Sequence, residues 1–250
     1  MKVRRYSLLL LLGLGLATTG AQSAEIKVIA ANAVKDGYSS LAESFEKNSG
    51  HKVVTTWTGT VNAARRVSAG EVFDLVIIGS ENIDKLVAEG KLAAGSRADF
   101  AKSGVGAAAR AGLPKPDIST MEALRTAVLN AGSVAHSAGP SGAYVAQLLK
   151  TMGVAEKIAS KVKQPSSGAE VAALVARGEV DLGFGQVSEF LNVTGLIDLG
   201  PLPESLQNYT IYAIGLHNAA TSPDAAKDFV KFLTSPEAAP VIRKMGMQQR

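Results

Sequence analysis

The 250 residues carry 26 Lys and Arg against 22 Asp and Glu, a net charge of +4, and no cysteine at all. Disulfides, thiolate metal sites, cysteine catalysis and a lipid-modified cysteine are thereby excluded. Three of the positive charges, Lys2, Arg4 and Arg5, stand at the extreme N-terminus; without them the net charge is +1, too small to suggest a nucleic-acid partner.

Those cations precede the apolar run from Leu8 to Ala17, and small residues follow from Thr18 to Ala24. A basic segment, a short apolar core and a small-residue zone predict a cleavable secretory signal peptide over residues 1–24. The run is shorter than the roughly 18 apolar residues a membrane span needs. The mature chain is expected in the periplasm as a soluble monomer of roughly 226 residues, one large domain or two modest ones.

Ile26 to Ala31 reads as a strand, followed by the loop Asn32–Gly37 and a helix through Tyr38, Leu41, Ala42 and Phe45, ending at Gly50. The plan repeats: strand Val53–Trp57, the loop Thr58-Gly59-Thr60, helix Val61–Ala69 and the apolar strand Phe73–Ile78. Continuous apolar strands alternating with helices predict a parallel sheet buried on both faces. The loop at Thr58-Gly59-Thr60 then sits at a strand's carboxyl end and opens a helix. Backbone N–H groups and the positive end of the helix dipole favour an anion there.

A short helix over Ile83–Glu89 leads to a small-residue strand, Val105–Arg110. The Pro-containing loop Ala111–Pro116 then suggests a crossover between lobes. Ser119 or Thr120 caps the next helix, and Val134–His136 is a brief strand. Ser137–Gly142 opens a helix over Ala143–Met152, a second anion-ready arrangement. Ile158–Gln164 carries a strand, Gly168–Arg177 a helix, and Val180–Gly185 a strand leading to Gln186. Ile211–Leu216 returns as a strand, and Ser222-Pro223 and Ser235-Pro236 mark two helix starts. Together these predict an α/β fold of two lobes facing a cleft, with two mixed or parallel sheets flanked by helices. The expected division is 25–105 with 210–250 as lobe 1, and 106–209 as lobe 2.

Several stretches, in this order and spacing, resemble one family. They are Ile26–Ala31, Thr58-Gly59-Thr60 with Ala64-Arg65, Ala69-Gly70 before Phe73–Ile77, Ser141–Tyr144, Gly178–Gly183 and Phe229–Ala238. The chain resembles the periplasmic molybdate-binding proteins of ABC importers, which are type II periplasmic binding proteins. The resemblance implies two lobes joined by two crossing strands and closing on one ligand by a hinge. It implies permease subunits as partners, and neither catalysis nor a cofactor. Its ligand positions fall on Asn32 and Ala33, on Gly59 and Thr60, on the loop ending Ser141-Gly142, and on Gln186, which stands where the family has a Tyr.

Each position has a plainer role. Asn32, Thr60 and Ser141 are also good helix caps, and Gln186 is also an ordinary loop amide. Thr58, Arg65, Arg110 and His136 are further candidates; Arg65 would reach a carboxylate ligand bidentately, and otherwise belongs to a solvated helix face. Hydroxyls and helix ends favour a molybdate-like oxyanion, while the nearby arginines leave a small organic carboxylate as the alternative, for transport or sensing. A serine hydrolase built on Ser141, Asp198 and His217 is the remaining enzymatic reading. Three scattered histidines give no metal-ligand spacing, and Gly104-Val105-Gly106 lacks the third glycine of a dinucleotide loop.

Overall fold

Residues 23–249 are described by the computed structural model; the expected signal peptide falls outside them except for its last two residues. In chain order the strands and helices are β1 (Glu25–Ala31), α1 (Lys35–Ser49), β2 (Lys52–Thr58), α2 (Thr60–Ser68), β3 (Leu75–Gly79) and α3 (Ser80–Ala88). There follow β4 (Ala98–Arg110), α4 (Met121–Asn130), β5 (Val134–His136), α5 (Pro140–Thr151), α6 (Ala155–Ile158), β6 (Val162–Lys163) and α7 (Gly168–Ala176). The chain finishes with β7 (Leu182–Gln186), α8 (Val187–Phe190), β8 (Leu196–Pro201), β9 (Tyr209–Leu216), α9 (Pro223–Leu233), α10 (Ala239–Lys244) and β10 (Gln248–Gln249).

In the first lobe β2, β1 and β3 run parallel, and β9 closes on β3 antiparallel. All five residues of β3 are buried, as a strand covered by helices on both faces requires. One covering layer is aromatic. Phe229 of α9 lies 4.7 Å from Phe45 and 5.7 Å from Tyr38 of α1, ring centre to ring centre, and Trp57 meets Tyr38 edge-on at 5.3 Å. Burying a ring such as Phe229 stabilises by about 1.5–3 kcal/mol. Asp74, buried just before β3, ties this lobe together. Its carboxylate accepts from the backbone N–H groups of Lys27, Thr221 and Ser222 at 2.6–2.8 Å, joining β1 to the start of α9.

In the second lobe β5 lies between β6 and β7 in parallel register, and β7 pairs antiparallel with β4. A separate apolar core forms around Val105, Leu124, Val128, Leu149 and Phe184.

The two sheets share β4. Its first half pairs with β9 as far as Gly104, and from Val105 onward it pairs with β7 and β8. The return strand crosses beside it. Val105 donates to Asn208 O and to the Gln207 side chain, while Leu202 N donates to Val105 O at 2.9 Å. The crossing is therefore made within β4, and not by the loop Ala111–Pro116, which lies beyond the far end of that strand. The polar residues Asp99, Lys102 and Ser103 hid the first half of β4 from pattern reading, because it is held by pairing between β9 and β10.

Two further expectations are corrected. The strand expected over Ile158–Gln164 shrinks to Val162–Lys163, since α6 and a 3₁₀ turn occupy 155–161. Strands β8 and β10 carried no pattern strong enough to predict. Ser222 stands at its N-cap position, but its hydroxyl donates to Glu25 O and leaves the helix uncapped by that side chain.

Candidate functional site

Three α-helices begin at one cavity between the lobes. Gly59, Gly139 and Ser167 are the N-cap residues of α2, α5 and α7, and all three line it. A 3₁₀ turn starting at Asn32 brings the end of β1 to the same wall. The parallel arrangement of β1 with β2, and of β5 with β7, sets these strand ends on one edge of each sheet, so the loops of the two lobes meet. The cavity measures about 20 Å³, and no Lys or Arg lines it. Its wall offers the hydroxyls of Thr60, Ser137, Ser141, Ser166 and Ser167, together with helix ends. Such a donor set holds an anion without a counter-charge.

The lobes touch around it. Ser188 Oγ of lobe 2 donates to Ala33 O of lobe 1 at 2.8 Å. A β-carbon on Gly59 would come within 2.5 Å of Ser166 O. Glycine at that position is what lets α2 approach the other lobe so closely.

Of the residues expected from sequence, Asn32, Ala33, Gly59, Thr60 and Ser141 come together at the cavity. Gly142 stands one residue deeper in α5, so tight against Ser137 that a β-carbon there would overlap the Ser137 carbonyl. Gln186 lies elsewhere. It is buried, and with its amide turned to satisfy both ends it donates to Ser103 O (2.9 Å) and Gly104 O (3.2 Å) and accepts from Thr210 Oγ1 (2.7 Å). It ties the two crossing strands together where β4 changes sheets.

The remaining candidates are spoken for by other partners. Thr58 Oγ1 accepts from Asn62 Nδ2 at 2.6 Å, and Arg65 donates to Asn62 Oδ1 at 2.7 Å on the outer face of α2. Arg110 pairs with Asp181 at 3.6 Å at the far end of β4. His136 is buried, with Nδ1 3.2 Å from Ser137 O. None of the four lines the cavity. The hydrolase grouping is not assembled. Asp198 accepts from Gly200 N, and His217 follows β9 with Nδ1 accepting from Ala219 N, while Ser141 alone faces the cleft.

Sequence reasoning missed Ser137, Ser166, Ser167, Tyr212 and Glu189. Glu189 was legible in one respect: Gln186 and Glu189 have the spacing of an N-cap and third helical residue at the end of a strand. Its carboxylate accepts from Gln186 N through Oε2 and from Ala169 N through Oε1, each at 3.1 Å, and from Gly168 N. Despite these donors, burial pushes its pKa up to about 7. Tyr212 of β9 faces it from lobe 1, and burial, with the Glu189 charge adding to it, raises that phenol well above its usual range.

Residues 26–248 match the family model described as bacterial extracellular solute-binding protein. An aconitate isomerase from Pseudomonas sp. is 36% identical over 183 residues, 73% of this chain and 70% of that protein. A molybdate-binding protein, ModA, from Azotobacter vinelandii is 28% identical over 248 residues, covering 96% of both. The solved structure titled Azotobacter vinelandii periplasmic molybdate-binding protein superposes with a TM-score of 0.75 at 20% identity, covering 89% of this chain and 98% of the other. With two lobes sharing crossing strands and a family match over nearly all the described residues, this chain belongs to the bacterial extracellular solute-binding proteins and has their type II periplasmic binding protein fold.

Proposed function

We propose that the protein is exported by residues 1–24, is released into the periplasm as a monomer, and captures a small anion for an ABC importer. Residues 25–105 with 210–250 act as one lobe and 106–209 as the other, closing by a hinge at the crossing strands. The carrying observation is the convergence of helix N-termini and neutral hydroxyl donors from both lobes on one cavity lacking Lys and Arg. A tetrahedral oxyanion of the molybdate type suits that set, since its oxygens accept from many directions and neutral donors meet them without ion pairing. Asn32, Ala33, Gly59, Thr60 and Ser141 contact it, with Gly142 supporting the α5 turn. Relatives named for molybdate binding support this ligand class. The closed form, with the ligand desolvated, is the form that docks on the permease subunits.

The test is a thermal-shift screen of the ligand-stripped mature protein against molybdate, tungstate, sulfate, phosphate and small di- and tricarboxylates. At one hundred times its dissociation constant, a ligand adds about 2.7 kcal/mol to the folded state. Stabilisation by molybdate and tungstate is expected. A response to carboxylates alone would refute the oxyanion.

One observation favours a second reading, an enzyme acting on a small unsaturated carboxylate. A buried carboxyl with a pKa near neutrality lines the site, and the relative at 36% identity is named an isomerase of aconitate. Ionised Glu189 would lift a proton from a carbon beside the double bond and return it to the other end of the allylic system. Incubation with aconitate in D₂O separates the two readings. Deuterium entering the carbon skeleton with the wild type, but not with Glu189→Gln, would establish the enzyme.

A further inference from the structure

We infer that the cleft takes up its anion together with one proton, and that Glu189 carries it. The proposal rests on the reading of the cavity as an anion site and adds the titrating partner of that anion. Glu189 is built into the wall. Its two oxygens are fixed by three backbone N–H groups at the start of α7 and at the junction of β7 with α8. Gly168 has no side chain because a β-carbon there would overlap Glu189 Oε2. The carboxyl therefore cannot swing away when an anion arrives, and it lines the same small cavity as the helix ends and hydroxyls that would meet that anion.

Among the described residues no cationic side chain pairs with it. Among the charged side chains on the elements packed against α8, Glu170 of α7 bonds Ser166, and Asp198 of β8 accepts from Gly200 N. On β4, Lys102 lies over the Tyr209 ring, Arg110 pairs with Asp181, and Asp99 is bound to Arg97. Strand β7 and the turn Asn32–Val34 carry no charged side chain. Among the described titratable side chains of lobe 1, Tyr212 faces Glu189, and its phenol is neutral throughout the working range. Two negative charges in one small cavity without a cation cannot both persist, so the carboxyl with its already raised pKa accepts the proton. In the neutral form its O–H turns from a repelling charge into a donor.

The sign follows from linkage. Below pH 7 the ligand-free Glu189 is already largely protonated, so affinity is flat. Above it each bound anion must bring a proton, and affinity falls about tenfold per pH unit. Isothermal titration of the mature protein with molybdate, from pH 6 to 8.5 in two buffers of different ionisation enthalpy, reads both the affinity and the proton count. Succinate replaces molybdate if molybdate gives no heat and succinate stabilises the fold. Near pH 8 the wild type should take up close to one proton per anion, and Glu189→Gln should bind with a nearly level pH profile. Binding of equal affinity at pH 6 and 8.5, with no buffer-dependent heat in the wild type, would overturn the role of Glu189 while leaving the anion site intact. A pH slope retained in Glu189→Gln would do the same. Absence of binding by either anion at any pH would overturn the anion site and this inference with it.

Discussion

Replacing Gly59 by alanine tests the closed geometry through a single methyl group. Gly59 has φ −76° and ψ 151°, a conformation open to any residue, so the open protein should tolerate the change. At the N-cap of α2 alanine is a poorer residue than glycine, and that effect is a fraction of a kcal/mol up to about 1. Closure, as proposed, is another matter. The new β-carbon would lie 2.5 Å from the Ser166 carbonyl oxygen, where real contacts essentially never fall below 3.0 Å. The lobes must part by at least the missing half ångström, and the obstructing atom is backbone that cannot rotate aside. A bound anion then loses good geometry with one lobe. If one or two charge-assisted hydrogen bonds are forfeited, the loss is about 2–4 kcal/mol, roughly 30- to 700-fold in the dissociation constant. Titration calorimetry with the anion found by the thermal screen reads the affinity, and urea unfolding of the ligand-free proteins reads the fold. An unchanged dissociation constant in a normally folded Gly59→Ala protein would refute the claim that α2 and Ser166 meet in the bound state.

The other expectations concern charge and stability. Thr60→Ala and Ser141→Ala should each weaken anion binding about tenfold, one hydrogen bond to a charged group, whereas Arg65→Ala should leave it within about twofold because Arg65 serves only Asn62. The same titrations check all three. Burial that raises Glu189 from 4.5 to about 7 makes its ionisation oppose folding. The ligand-free wild type should therefore lose about 3 kcal/mol between pH 4.5 and 8, a loss complete once pH passes the folded pKa and absent from Glu189→Gln; denaturant unfolding of both proteins at pH 5 and 8 measures it. Asp74→Ala leaves three part-buried backbone N–H groups in lobe 1 without their acceptor and should cost about 2–3 kcal/mol in urea unfolding, with Asp74→Asn milder.

The alternation of apolar strands with helices determined the α/β character and the parallel core. The two helix-opening loops at Gly59-Thr60 and Pro140-Ser141 singled out two of the helix starts that meet at the cavity between the lobes. These are local signals: a strand such as Leu75–Gly79 is apolar because both faces are covered, and a helix start declares itself in small and hydroxyl residues within a turn of chain. Tertiary structure decided the rest. Only pairing with β9 and β10 makes Ala98–Gly104 a strand, despite its polar residues. Gln186, itself an expected ligand position, turns instead to the crossing strands, because the carbonyl groups of Ser103 and Gly104 lie within its reach. Glu189 and Tyr212, 23 residues apart and on different lobes, meet only because the chain crosses between the sheets twice. A carboxylate's pKa depends on what surrounds it in space, and that environment is assembled by folding, not by its neighbours in the chain.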